Sequence, residues 1–171
     1  GVLGKIISGE GDDLPVSAFP VDGQFPSGTT KWEKRNIADA VPVWDADLCT
    51  QCGKCYMICP HAAIRPKVYD KELLKSAPDS FAHVAPIGKE WNKETEAYTL
   101  QVSTEDCTGC TLCVEFCPIT SKTEPGHKAI NMMDKTPFQE KEIENWNYFL
   151  TIPEVDRSRI NRNTVKGSQF F

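Results

Sequence analysis

All eight cysteines of the chain fall into two copies of one pattern, Cys49-Cys52-Cys55-Cys59-Pro60 and Cys107-Cys110-Cys113-Cys117-Pro118, each reading C-x2-C-x2-C-x3-C-P. Thiolates at this spacing, closed by a proline, are the ligand set of a 4Fe-4S cluster, and the duplication implies two clusters. The chemistry open to such a chain is one-electron transfer. Three cysteines on a tight loop reach three corners of one cube while the intervening N–H groups point at sulfur. Gly53 and Gly109 suit those loops, because glycine takes positive φ without steric cost. The third and fourth cysteines, at i and i+4, share one side of a helical turn at different heights. Pro60 and Pro118 then turn the chain away, since proline has no N–H with which to continue a helix.

Two other uses of cysteine fit less well. A disulfide framework needs an oxidising compartment, and the opening Gly1-Val2-Leu3-Gly4-Lys5 lacks the apolar core of a signal peptide. Zinc sites pair two C-x2-C units at a distance, and neither the third in-phase cysteine nor the C-x3-C-P ending belongs to that pattern.

The duplicated motif resembles the two-cluster ferredoxins, in which the fourth cysteine of each motif ligates the other cluster. That resemblance implies one cluster on Cys49, Cys52, Cys55 and Cys117, and a second on Cys107, Cys110, Cys113 and Cys59. The formal charge of −5 counts cysteines as neutral. With eight thiolates and two oxidised cores the total would be about −9, which makes nucleic acid an unsuitable partner. No apolar run approaches the roughly 18 residues of a membrane span, and no membrane association is expected.

The elements that must position the cysteines repeat as well. Val41-Pro42-Val43-Trp44 and Tyr98-Thr99-Leu100-Gln101-Val102 read as strands entering the loops past Asp47 and Glu105. Ala63-Ile64 and Ala129-Ile130 read as the returning strands. The expected unit is strand, cysteine loop, short helix, strand, used twice in an α+β fold. The second copy carries an extra segment from Ile119 to Lys128. Around the core the reading divides the chain into an extended N-terminal segment (1–40), a ferredoxin-like two-cluster domain (41–133) with an insertion at about 67–97, and a C-terminal region (134–171).

Prolines and glycines punctuate residues 1–40, and the interleaved Leu14, Val16, Phe19, Val21 and Phe25 suggest an extended strip that packs on something. Thr30 and Glu33 form a candidate capping box. The insertion offers helical turns near Asp70, Leu73 and Leu74 and no visible chemistry. Thr136-Pro137-Phe138-Gln139 reads as a capping box opening an amphipathic helix with Ile143, Trp146, Phe149 and Leu150 on its apolar stripe, ending before Pro153. The terminal Phe170-Phe171 is more apolar than the stretch before it. His61 is expected to be a cluster neighbour rather than a ligand, and Tyr56 and Phe116 to exclude water. Aligning the motifs sets Gly53-Lys54 against Thr111-Leu112, so Lys54 is expected to face solvent and Leu112 to pack inward, with the first-motif cluster outermost.

The flanks extend the resemblance. Leu14-Pro15-Val16-Ser17-Ala18-Phe19-Pro20-Val21-Asp22-Gly23, Gly28 to Ala38, Asn145-Trp146-Asn147-Tyr148-Phe149-Leu150, and Thr164-Val165-Lys166-Gly167-Ser168-Gln169 closely resemble the ferredoxin-like segment of the pyruvate:ferredoxin (flavodoxin) oxidoreductases. The resemblance implies a fragment that wires electrons inside an enzyme converting pyruvate and coenzyme A to acetyl-CoA and CO2. The family passes electrons to ferredoxin or flavodoxin, or to a fused flavoprotein module. It also binds thiamine diphosphate, Mg2+ and a third 4Fe-4S cluster, none of which has a motif here. The remaining domains of such an enzyme would be the partners, and the expected location is the cytoplasm, or a mitochondrion or hydrogenosome in a eukaryote. A free-standing ferredoxin-type carrier, or an iron–sulfur subunit of another redox complex, is the alternative.

Overall fold

The computed structural model describes residues 1–25, 28 and 32–169, and divides into two compact units, Gly1–Lys34 and the chain from Arg35 onward. The first unit is not uniformly extended. It begins with a helix, α1 (Val2–Ile7), followed by single 3-10 turns at Gly11–Asp13 and Val16–Ala18. Phe19 and Phe25 meet edge to face at 6.4 Å, while Val16 and Val21 are exposed. The expected capping box at Thr30 lies outside the described residues, as do Phe170 and Phe171.

The second unit carries both motifs. Its elements are β1 (Ala40–Trp44), α2 (Lys54–Ile58), β2 (Ile64–Asp70), β3 (Glu96–Val102), α3 (Leu112–Glu115), β4 (Ile130–Asp134), α4 (Gln139–Thr151) and α5 (Val165–Ser168). The repeat of strand, loop, helix and strand is present in both copies. Pairing, however, runs between the copies: β1 lies antiparallel to β4, with Trp44 opposite Ile130, and β2 lies antiparallel to β3, with Ile64 opposite Val102 and Asp70 opposite Glu96. Each entry strand thus pairs with the other copy's returning strand.

A two-stranded ribbon is marginal alone and must be covered. Period-2 alternation gives β2–β3 two faces. Ile64, Val68, Tyr98, Leu100 and Val102 face the cysteine half, joined there by Tyr56, Cys113 and Ile130. Tyr69 and Ala97 face the other way, against Trp146 and Phe149 of α4 and Phe81 of the inserted segment. Lys67, also on this second face, is buried; its ammonium bonds Ile152 O, pairs with Glu154 at 3.0 Å and lies 4.8 Å from the Phe149 ring centroid. The inserted segment is structural. Asp70 caps a 3-10 turn at Lys71–Ser76, and Val84 exchanges backbone hydrogen bonds with Tyr98 (2.9 and 2.7 Å), closing the free edge of β3. Arg159 binds Glu96 at 2.7 and 3.0 Å and covers Trp91, leading the chain back toward the first cysteine loop. Among the described residues no helix is long and apolar enough to cross a membrane.

Helix α4 corrects two expectations. It starts at Gln139, with Phe138 at the cap and no side-chain capping bond, and the Gln139 amide N–H donates to Asn36 Oδ1 at 3.1 Å. Its buried face holds Asn145, Trp146 and Phe149, whereas Leu150 is 54% exposed. Asn145 is admitted because Ser80 Oγ donates to its Oδ1 at 2.9 Å, so no buried polar group is left bare there. Phe149→Ala is expected to cost about 3–5 kcal/mol by opening a core cavity, and Leu150→Ala to stay within about 0.5 kcal/mol. Chemical unfolding of the two variants checks this; equal losses would place Leu150 in the core after all.

Candidate metal centre

Each cysteine loop carries two residues in the left-handed region, at equivalent positions. In the first loop they are Gln51 (φ 54°) and Gly53 (φ 85°), in the second Gly109 (φ 71°) and Thr111 (φ 65°). Glycine occupies one position in each loop, but not the same one. The shared geometry turns the loop so that the N–H of the second residue after the first cysteine meets its sulfur: Gln51 N donates to Cys49 Sγ at 3.3 Å and Gly109 N to Cys107 Sγ at 3.4 Å. Gly53 and Thr111 then cap α2 and α3, which carry Cys55 and Cys113, and Cys59 and Cys117 follow these helices. The positive φ of Gln51 and Thr111 has no signature in residue type.

The strand exchange brings each fourth cysteine to the other loop. One cavity, of about 360 Å³ of empty space, is lined by Cys49, Cys52, Cys55 and Cys117. Its twin, of about 350 Å³, is lined by Cys59, Cys107, Cys110 and Cys113. All eight cysteines are free thiols. Among the described residues no three His, Cys, Asp or Glu side chains converge closely enough to hold a single metal ion. Four thiols spread round a space, with backbone N–H groups on two of the sulfurs, form a donor set that fits a 4Fe-4S cluster in each cavity. Burial pushes the Cys49 and Cys107 thiols up, Cys113 to about 12 and Cys55 further still. Thiolates there require a positive partner, so metal uptake in this fold is tied to proton release.

The surroundings of the two loops differ. Gln51 is 3% exposed; its amide donates to Ala85 O at 2.8 Å and accepts from Ile87 N (2.8 Å) and Lys166 Nζ (3.1 Å). Lys166 also donates to Ile87 O at 2.6 Å and lies over the Tyr98 ring, and burial pushes its amine below the ordinary lysine value. A Cβ on Gly53 would come within 2.9 Å of Lys166 Cα. The first loop is thus clamped between the inserted segment and α5. Over the second loop Cys110 is exposed, as are Leu112 (37%) and Phe116 (49%). The expectation that Leu112 packs inward is therefore corrected, and the expectation that Phe116 excludes water with it. The contrast with Lys54, itself exposed, gives no order for the two cavities. Tyr56 is buried as expected, and His61 lines the second cavity from an exposed position. Sequence reasoning missed the pairing of Gln51 with Lys166, because 115 positions separate them and the spacing of the cysteines fixes neither residue type.

Residues 48–120 match the family model of a 4Fe-4S double cluster binding domain, and residues 1–38 match that of a domain of unknown function. The stretch that carries the cysteines is therefore similar to double-cluster iron–sulfur domains. A pyruvate-flavodoxin oxidoreductase of Nostoc sp. is 51% identical over 98% of this chain, and a probable pyruvate-flavodoxin oxidoreductase of Escherichia coli is 48% identical over 99%. A pyruvate dehydrogenase (NADP+) of Cryptosporidium parvum is 40% identical over 99% of the chain. By these matches the chain is similar to one segment of the pyruvate-flavodoxin oxidoreductases. It spans 14% of the length of the first two relatives and 8% of the third.

Thr111 and Gln51 separate backbone strain from side-chain clamping. Thr111→Gly is expected to raise stability by up to about 1 kcal/mol, since an exposed β-branched residue leaves the left-handed region. Gln51→Gly is expected to lower it by about 1–3 kcal/mol, because the groups bonded to its buried amide lose their partner. Denaturant midpoints decide; a fall in both would show that strain is not what limits the second loop.

Proposed function

We propose that the eight cysteines hold two 4Fe-4S clusters, one on Cys49, Cys52, Cys55 and Cys117 and the other on Cys107, Cys110, Cys113 and Cys59, and that the chain conducts electrons within a pyruvate:ferredoxin (flavodoxin) oxidoreductase. The observation that carries this reading is the pair of matched cavities, each lined by three thiols of one motif and one of the other. A bound 4Fe-4S cluster supplies a centre that gains and loses one electron.

The chain's own residues do the rest. Gln51 and Gly109 donate backbone N–H bonds that favour the Cys49 and Cys107 thiolates. Tyr56, Tyr98 and Leu100 shield the first cavity from water, whereas the exposed Cys110 brings the second close to the surface. In the whole enzyme, pyruvate and coenzyme A would become acetyl-CoA and CO2 at thiamine diphosphate and Mg2+ held by other domains, with ferredoxin, flavodoxin or a fused flavoprotein module taking the electrons. The chain contributes no acid, base or nucleophile to that reaction, and the cytoplasm suits a carrier of low-potential electrons.

The full chain, loaded anaerobically, is expected to bind about eight irons and to show spin-coupled 4Fe-4S signals when reduced. Four irons, or stoichiometric zinc, would overturn the two-cluster reading. Cys59→Ser should alter the same cluster as Cys107→Ser, and Cys117→Ser the same cluster as Cys49→Ser. Spectra in which each serine disturbs only its own motif's cluster would reject the crossed ligation.

A further inference from the structure

The first cavity is ringed by hydrogen-bond donors that have nothing to bond. Trp44 Nε1, Tyr56 Oη and Tyr98 Oη are buried side-chain atoms without a hydrogen-bond partner, and all three residues line this cavity. The second cavity has no such atom among the described residues; its polar lining side chains outside the cysteines are His61, Thr108 and Thr111, none of them buried. Buried donors are satisfied in nearly all native proteins, and one that is not points to a missing acceptor. Three around one cavity point to an acceptor inside it.

We propose that Trp44, Tyr56 and Tyr98 donate to sulfur of the cluster in the first cavity and hold up its reduction potential, a device the second cavity lacks. The proposal rests on the ligation proposed above. The two tyrosine hydroxyls lie close enough to perturb each other. If one donates to the other, a single O–H proton is still left over, and the sulfur-lined space is what remains for it. The Trp44 indole meets the Tyr98 ring edge-on at 5.9 Å, so the donors form one packed group.

The sign follows from charge. Reduction adds one negative charge to the cluster, and N–H or O–H bonds to sulfur stabilise the more negative form. Burial acts the other way, because a site removed from water stabilises added charge poorly. The clamped first loop incurs that penalty more than the second, whose Cys110 is exposed. The donors offset it where it is largest.

Redox titration of the full chain followed by EPR tests this, with the first-cavity cluster assigned by its response to Cys117→Ser. Tyr98→Phe and Tyr56→Phe keep ring and packing and remove only the hydroxyl; Trp44→Phe removes the indole N–H. Each is expected to lower the midpoint potential of the first-cavity cluster and leave the other unmoved, with the double tyrosine variant lowering it further. Tyr69→Phe is the control, since its hydroxyl is also buried without a partner but lines neither cavity, and it should shift neither potential. If the tyrosine variants leave both potentials unchanged, or move both equally, the donor role is wrong while the ligation stands. If Cys117→Ser fails to single out one cluster, the ligation itself is wrong and the donor role goes with it. Should Trp44→Phe fail to load, the two tyrosine variants still decide.

Discussion

The exchange of strands between the two motif copies is the constraint on which the rest depends. β1 pairs with β4 and β2 with β3, so neither copy can close on itself. That pairing carries Cys59 across to the second loop and Cys117 across to the first, and makes each four-thiol cavity a joint product of both halves. The strands alone form two ribbons of two, too little sheet to be stable independently. Side chains between the ribbons, and metal where it binds, must supply the difference. A cluster tying both halves together is well placed to do so, because metal binding in a small domain is also folding energy.

Around this symmetric frame the chain is asymmetric, and the asymmetry lies in the flanks. One face of β2–β3 is covered by α4 through Trp146 and Phe149, and the free edge of β3 by Val84. The inserted segment and the C-terminal helix then meet on the first loop, where Gln51 ties Ala85, Ile87 and Lys166 together. The second loop has no equivalent clamp, and Cys110, Leu112 and Phe116 stay exposed. The chain spans 14% of the length of its first two relatives.

The loops themselves show how a repeated sequence reaches one geometry by different means. Two left-handed residues are needed in each loop, and glycine serves one of them each time, Gly53 in the first and Gly109 in the second. The remaining two positions are held by Gln51, which is buried, and Thr111, which is exposed. For Gln51 the holding groups are visible as three hydrogen bonds to its side-chain amide.

The cysteine spacing by itself determined the chemistry: three thiols on a tight turn with a fourth beyond a helical turn suit an iron–sulfur cube and little else, and two copies imply two cubes. The period-2 strands, the short helices and the course of α4 were also legible, since each depends on neighbours a few residues away. Strand partners were not. Antiparallel pairing of Trp44 with Ile130 closes 86 residues of chain, and nothing local to either strand encodes it. For the same reason the burial of Leu150, Leu112 and Phe116 was misjudged: a helical stripe or an apolar residue states a capacity to be buried, while the partner that buries it comes from elsewhere. The donors at the first cavity show the division most plainly. Trp44, Tyr56 and Tyr98 look like ordinary core aromatics in sequence, and only the tertiary structure, by burying their polar atoms beside one set of thiols without a protein acceptor, gives them something to do.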